Sequence, residues 1–444
     1  MIKASLSESA APTSPSNASV AQESGSAFAR VPARATAVDT ALLTGGIDRP
    51  YVFGLAMELV SKGVRLELIG SNELDCPEMH STPGLRFLNL RGEQGEEASL
   101  CTKASRVLVY YARLLRYAAT AKPKIFHILW NNKFLFFDRT LLMLYYKLLG
   151  KKISFTAHNV NAARRDSTDS ALNRFTLKVQ YRLADHIFVH TEKMREELIT
   201  EFGVQARMVS VIPFGINNAV PNTDVTPEEA KRHLGIKPSD KTILFFGRIS
   251  QYKGLEFLAS AFRQLVAKDP NYRLLIAGKS ERDSESYLET VQQTIQHEIA
   301  VGRVIQKIEF IPDKDTELYF KAADVLALPY TQVYQSGVLF LGYSFGLPVV
   351  ATDVGSVCDD VVVGRTGYLC KPEDAQGLAD AIETYFDSEL FRALNRQRQG
   401  IQNYASARHS WDVVGKMTTR VYAGLLCGQQ EAMDLLDSDL QSGA

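Results

Sequence analysis

No apolar run in the 444 residues approaches the roughly 20 consecutive residues that a membrane-spanning helix needs, so no integral span is expected. The N-terminus also lacks the continuous apolar core of a secretory signal. Cysteine is scarce, with five residues (Cys76, Cys101, Cys358, Cys370, Cys427) that are odd in number and scattered. No pair has metal-ligand spacing, which argues against a disulfide framework and for a reduced, cytosolic setting. Net charge is absent too, because 50 Lys and Arg balance 50 Asp and Glu.

That balance conceals an asymmetry. From Lys103 to Arg182 there are 16 basic residues against three acids (Asp138, Asp166, Asp169), an excess of 13 that implies one basic face. Aromatic residues are interleaved with it, among them Tyr110, Tyr111, Tyr117, Phe134, Phe136, Tyr145 and Tyr146. Apolar residues make up 45% of the chain, ample for the two or three domains that this length implies.

Residues 1–38, rich in Ser, Ala and Pro, read as a disordered tail. A weak strand at Ala41–Thr44 then ends in Gly45-Gly46, and further strands read at Val64–Ile69, Leu85–Leu90, Ile125–Leu129, Ile153–Thr156, His186–His190 and Val209–Ile212. Long helical patterns separate them, so a mostly parallel sheet covered on both faces is expected. Between Pro213 and Asp224 the composition turns to Pro, Gly and Asn, and Thr226-Pro-Glu-Glu229 has the form of a capping box. The alternation then restarts, with strands at Ile243–Phe246, Arg273–Ile276, Ile308–Ile311, Val325–Leu328 and Val349–Ala351. The expected organisation is an N-terminal domain at 39–215, a second at 216–405, a helix at 406–427 returning to the first, and an acidic tail at 428–444. Two doubly wound domains of this kind enclose a cleft suited to two substrates.

Two stretches carry chemistry. In Phe245-Phe-Gly-Arg-Ile-Ser-Gln-Tyr-Lys-Gly254 a buried strand stops at Gly247, and Arg248 and Lys253 follow before apolar residues resume at helical spacing. Doubly wound proteins bind ligands at such strand ends, and two cations beside a helix N-terminus suit a pyrophosphate. The second stretch runs from Ala323 to Gly355. There Gln335-Ser336-Gly337-Val338 opens a helix whose amides are free for anionic oxygens.

Together these stretches resemble family 4 of the retaining, nucleotide-sugar-dependent glycosyltransferases of GT-B fold, over about residues 40 to 426. The motifs that carry the resemblance are the 247–254 pair, Ala322-Ala-Asp-Val-Leu-Ala-Leu-Pro-Tyr330, Gly346-Leu-Pro-Val-Val-Ala-Thr-Asp-Val-Gly355 and Gly364-Arg-Thr-Gly367. The resemblance implies an α/β fold of two Rossmann-like domains facing a cleft. It implies that Arg248 and Lys253 hold the donor diphosphate, that Gly45, Gly46 and Gly247 let backbone approach the donor, and that His158 lies near the transferred sugar. It further implies that Gln335, Ser336, Gly337 and Val338 hold the β-phosphate. The two glutamates usual in the family are absent, since Val333 and Leu341 stand at their positions and the Gln-Ser-Gly-Val subset form is present.

The implied reaction is metal-independent transfer of a hexose from a UDP- or GDP-linked sugar to an acceptor hydroxyl, with retention. The leaving diphosphate serves as base, and the cations stabilise its charge. No cofactor beyond the donor is expected. An epimerase or phosphorylase of the same fold, or a basic nucleic-acid-binding protein, are the alternatives. The excess of positive charge, with Arg113, Arg116, Lys122, Lys124, Lys147, Lys151 and Lys152, implies a protein peripheral to an anionic membrane at its cytoplasmic face. A lipid-linked or polysaccharide acceptor is expected there.

Overall fold

The structure, a computed structural model, describes residues 38–45, 48–93, 99–132, 134–165, 168–216, 220–281 and 284–427. Gly46 and both tails (1–37 and 428–444) lie outside the described residues. Among the described residues, thirteen parallel strands form two sheets. The first, in the order β3-β2-β1-β4-β5-β6-β7, comprises β1 Asp39–Leu43, β2 Arg65–Gly70, β3 Leu85–Asn89, β4 Ile125–Ile128, β5 Lys152–Thr156, β6 His186–Val189 and β7 Val209–Val211. The second, in the order β10-β9-β8-β11-β12-β13, comprises β8 Lys241–Phe246, β9 Tyr272–Ala277, β10 Val304–Lys307, β11 Val325–Leu328, β12 Val349–Thr352 and β13 Gly367–Cys370. The chain order reverses between β1 and β4 in one sheet and between β8 and β11 in the other. A crevice opens at such a point, beyond the carboxyl ends of the strands.

Strand side chains alternate between two buried faces, as parallel sheets require. In the first sheet Ala41, Leu43, Phe126 and Ile187 pack under the helices Leu100–Thr120, Met143–Leu148 and Ala171–Leu183. Leu42, Leu68, Ile125 and Phe188 pack on the other face, with the helices Arg49–Ser61 and Trp411–Cys427. That last helix therefore completes a core begun almost 370 residues earlier. Its Trp411 indole lies where a Cβ on Gly54 or Gly215 would come within 2.2 and 2.4 Å of it, and its Nε1–H donates to the Ile216 carbonyl at 2.9 Å. Tyr422 OH meets His127 Nδ1 at 2.5 Å beneath the sheet.

The capping box forms as the sequence implies: Thr226 Oγ1 accepts from the Glu229 amide, and Glu229 returns a bond to the Thr226 amide. One strand is displaced. The apolar stretch Ile308–Ile311 is irregular, and the edge strand β10 is the more polar Val304–Lys307, which pairs with β9 from Val304↔Leu274 onward. An edge strand needs fewer apolar residues than a central one, so hydrophobicity alone placed it four residues late.

Candidate active site

At the end of β8 the backbone turns through Gly247, whose φ of +98° favours glycine. A Cβ at Gly247 would lie 3.0 Å from Lys253 Nζ and 3.3 Å from Val338 Cγ2, so the two chemistry-bearing stretches meet at this point. Lys253 is 6% exposed, and its ammonium lies 5.7 Å from the Tyr330 ring centroid. Tyr330 OH in turn meets Ser336 Oγ at 3.1 Å. Gly254 is tied down as well, since a Cβ there would fall 1.9 Å from the Pro329 carbonyl oxygen. The turn is thus welded to the segment following β11.

Ser336 caps the helix Gly337–Ser344 by accepting from the Leu339 amide at 3.4 Å, which turns its hydroxyl inward. Gly337 is exposed, and Gln335 Oε1 is buried without a hydrogen-bond partner. Arg248 differs from Lys253 in being open: its side chain is 72% exposed and pairs with Glu281 Oε1 at 3.2 Å. Arg248 lines a cleft of about 490 Å3 with Gly247, Gly278, Lys279 and the 70% exposed Phe310. Phe310 and Glu281 carry no recognisable motif, and only their place after strands of the second sheet marks them.

The strand ends of the first sheet present rings instead of cations. His158, after β5, stacks on Trp130, after β4, with centroids 4.2 Å apart and planes 7° from parallel. Tyr51 meets it edge-on at 4.7 Å, and His190, after β6, bonds His158 Nδ1 through Nε2 at 3.0 Å. Burial pushes both imidazoles down, His158 well below the usual histidine range and His190 to about 4. Gly45 is packed so closely that a Cβ would fall 2.1 Å from the Trp130 carbonyl oxygen, and its own carbonyl accepts from Arg91 at 2.8 Å.

Phe214 joins the two halves. Its ring lies 5.1 Å from His190 and 5.2 Å from Tyr51, and stacks on Phe340 of the helix Gly337–Ser344 at 5.8 Å. Tyr334 OH reaches across to Glu197 at 3.1 Å, and Lys193 Nζ donates to the Gly355 carbonyl. All the site residues named from sequence except Gly46 therefore lie at carboxyl ends of strands, in a C-terminal cationic group and an N-terminal aromatic one. Trp130, Tyr51, His190 and Phe214 escaped sequence reasoning. His190 gave the same signal as His158, a polar histidine closing an apolar strand.

Asp-x-Asp triplets occur at Asp313-Lys314-Asp315, which opens the helix Asp313–Ala322, and at Asp437-Ser438-Asp439, outside the described residues. Among the described residues no group of three or more His, Cys, Asp or Glu is placed to hold a metal ion. No helix among them is long and apolar enough to cross a membrane.

Residues 44–220 match the family described as Glycosyltransferase Family 4, and residues 240–388 match Glycosyl transferases group 1. Among curated proteins, the D-inositol 3-phosphate glycosyltransferase of Corynebacterium aurimucosum is 26% identical over 60% of this chain and 63% of its own length. The chain thus spans less than two thirds of that relative. The protein of the same name from Corynebacterium diphtheriae is 25% identical over 85% of this chain and 89% of its own length. Anabaena HepE in complex with UDP and glucose superposes with a TM-score of 0.68 at 17% identity, covering 87% of this chain and all of that one. Sucrose-phosphate synthase from Thermosynechococcus elongatus gives 0.69 at 17% identity, over 88% of this chain and all of its own. With its two-sheet fold and these two domains in tandem, the chain belongs to the glycosyltransferases of GT-B fold.

Proposed function

We propose that the chain moves a hexose from a UDP- or GDP-linked sugar to an acceptor hydroxyl with retention and without a metal. One observation carries this reading: Gly247, Lys253 and Val338 converge at the switch point of the second sheet. Lys253 and Arg248 hold the diphosphate, and the amides of Ser336, Gly337 and Val338 complete its cradle. The inward-turned Ser336 hydroxyl fits a role for amides over side chains. Phe310 offers the nucleobase a face to lie on, and His158 with Trp130 borders the sugar. Gly45 and Gly46 bring the first domain's backbone toward the donor.

The chain fits the subset of family 4 with Gln-Ser-Gly-Val. Val333 and Leu341 stand at the family's glutamate positions, and the nearest carboxylate in the cationic cleft, Glu281, pairs with Arg248. The leaving phosphate takes the acceptor's proton on the same face of the sugar. The product then keeps the donor's anomeric configuration.

The acceptor is lipid-linked or polymeric, met at an anionic membrane surface on the cytoplasmic side. Support comes from three neighbouring helices of the first domain. Leu108, then Leu141, Leu144 and Leu148, then Leu172 and Phe175 are all exposed. Tyr145 OH donates to the Leu115 carbonyl at 3.2 Å and Arg139 to Asn173 at 2.8 Å, placing these helices side by side. The fold narrows the basic contributors. Lys147 and Lys152 pair with Asp185 at 2.8 and 3.7 Å, and Lys151 donates to the Ala121 carbonyl at 2.6 Å. Arg113, Arg116, Lys122 and Lys124 remain exposed. A phosphorylated cyclitol acceptor is the second reading, favoured by the names of the corynebacterial relatives.

The test is transfer from a panel of UDP-, GDP- and ADP-sugars, with the product anomer read by proton NMR. A retained anomer made from a UDP- or GDP-sugar in the presence of EDTA supports the reading. An inverted product, or turnover that needs a divalent ion, contradicts it.

A further inference from the structure

His190 and His158 are bonded to each other and to the backbone in a chain that leaves no choice of proton positions. His190 Nδ1 faces the Ile212 carbonyl oxygen at 3.2 Å, and a carbonyl only accepts. His190 therefore carries its proton on Nδ1. In the neutral ring Nε2 then has a lone pair, and the partner at 3.0 Å, His158 Nδ1, must be the donor. His158 in turn is left with a bare Nε2, buried and without a hydrogen-bond partner. His190 is buried and His158 partly buried, and the loss of solvation holds both rings neutral at neutral pH. Trp130 stacked on one face and Tyr51 set edge-on fix the plane of the His158 ring.

We propose that His190 is a positioning residue that locks His158 in the tautomer with a lone pair on Nε2, so that His158 accepts a hydrogen bond from a hydroxyl of the transferred sugar. The proposal rests on the reading of His158 as a neighbour of that sugar. A buried acceptor without a partner is costly, and a hydroxyl donor relieves it. A lone pair is also the right polarity for the reaction. As the glycosidic bond breaks, positive charge develops on the sugar ring, which a bare nitrogen favours and an N–H opposes. The carbonyl of Ile212, at the end of β7, thereby sets the proton position two side chains away. It also makes the site selective: a donor sugar without that hydroxyl leaves the acceptor unpaired.

Nitrogen-15 NMR of histidine-labelled protein reads the tautomers directly and needs no activity. Wild-type protein is expected to show both His158 and His190 protonated on Nδ1 alone. His190→Phe, which keeps a ring in place, is expected to release His158 to a mixture of tautomers. It should lower kcat about tenfold to a hundredfold with little change in donor KM. His190→Gln, with a carbonyl to accept from His158 and an amide to reach Ile212, should recover most of the loss. Protonation of His158 on Nε2 in the wild type, or an unchanged His158 tautomer in a folded His190→Phe, overturns the proposal. A shifted tautomer with unchanged kcat, and equal turnover of every monodeoxy donor, overturns the sugar contact and the reading of His158 beneath it.

Discussion

The two halves of the site are built from the same part of the same fold and have opposite chemistry. At the strand ends of the second sheet stand two cations, an amide-bearing helix start and glycines held against backbone. At the strand ends of the first stand Trp130, His158 and His190, with Tyr51 of the helix Arg49–Ser61 against them and both imidazoles held neutral. In the proposed function one half takes a concentrated negative charge, and the other the apolar faces and hydroxyls of a sugar. In a transferase the bond that breaks lies between those two groups. The difference teaches that the fold supplies only the crevice, and that ring or cation at the strand end decides what enters it.

The sharpest way to break the comparison is to remove a cation. Lys253→Ala is expected to lower turnover by roughly 10²–10³, as loss of a preorganised electrostatic donor does. Arg248→Ala should cost less, since its side chain is 72% exposed and already shared with Glu281. Steady-state kinetics on both variants checks this order, and equal, small effects would detach the cations from the chemistry.

Acid should separate the halves next. Burial lowers His127 to about 3, His186 and His190 to about 4, and His158 well below the usual histidine range, and all four lie in or just after strands of the first sheet. A folded-state pKa below the unfolded value of about 6.5 means that the unfolded chain binds protons first as pH falls. The stability present above pH 6.5 is therefore lost progressively toward pH 4. Hydrogen exchange between pH 7 and 5 should show protection falling in β4 to β6 before β8 to β12. Simultaneous loss in both sheets would contradict this.

The smallest effect concerns the outer face of the first domain. Leu148 is 79% exposed, so Leu148→Asp should leave folding intact and weaken binding to anionic vesicles about tenfold. Flotation with neutral and anionic vesicles checks it, and recovery equal to wild type would remove that helix from the membrane contact.

Much of this was legible in the sequence because it is local. Apolar runs bounded by glycine marked the strands, and Arg248, Lys253 and Gln335 to Val338 lay in short motifs whose spacing survives without the fold. What escaped is non-local. Trp130 and His158 stack because β4 and β5 are neighbours, and Phe214 and Phe340 because a connection crosses the seam. Trp411 finds Gly54 and Gly215 only once the last helix has returned to the first sheet. The misplaced strand at Ile308–Ile311 has a similar cause, since an edge strand is chosen by its pairing partner and hydrophobicity is a poor guide to it.

The central claim is that the cationic half holds the donor's diphosphate. Its most direct test is calorimetric titration of UDP and GDP into the wild-type protein and into Lys253→Ala, with the fold of each checked by circular dichroism. The account predicts that one nucleoside diphosphate binds the wild type and that the folded Lys253→Ala variant loses at least tenfold in affinity. Equal affinity of wild type and variant, or no binding of either nucleotide to the wild type, would contradict it.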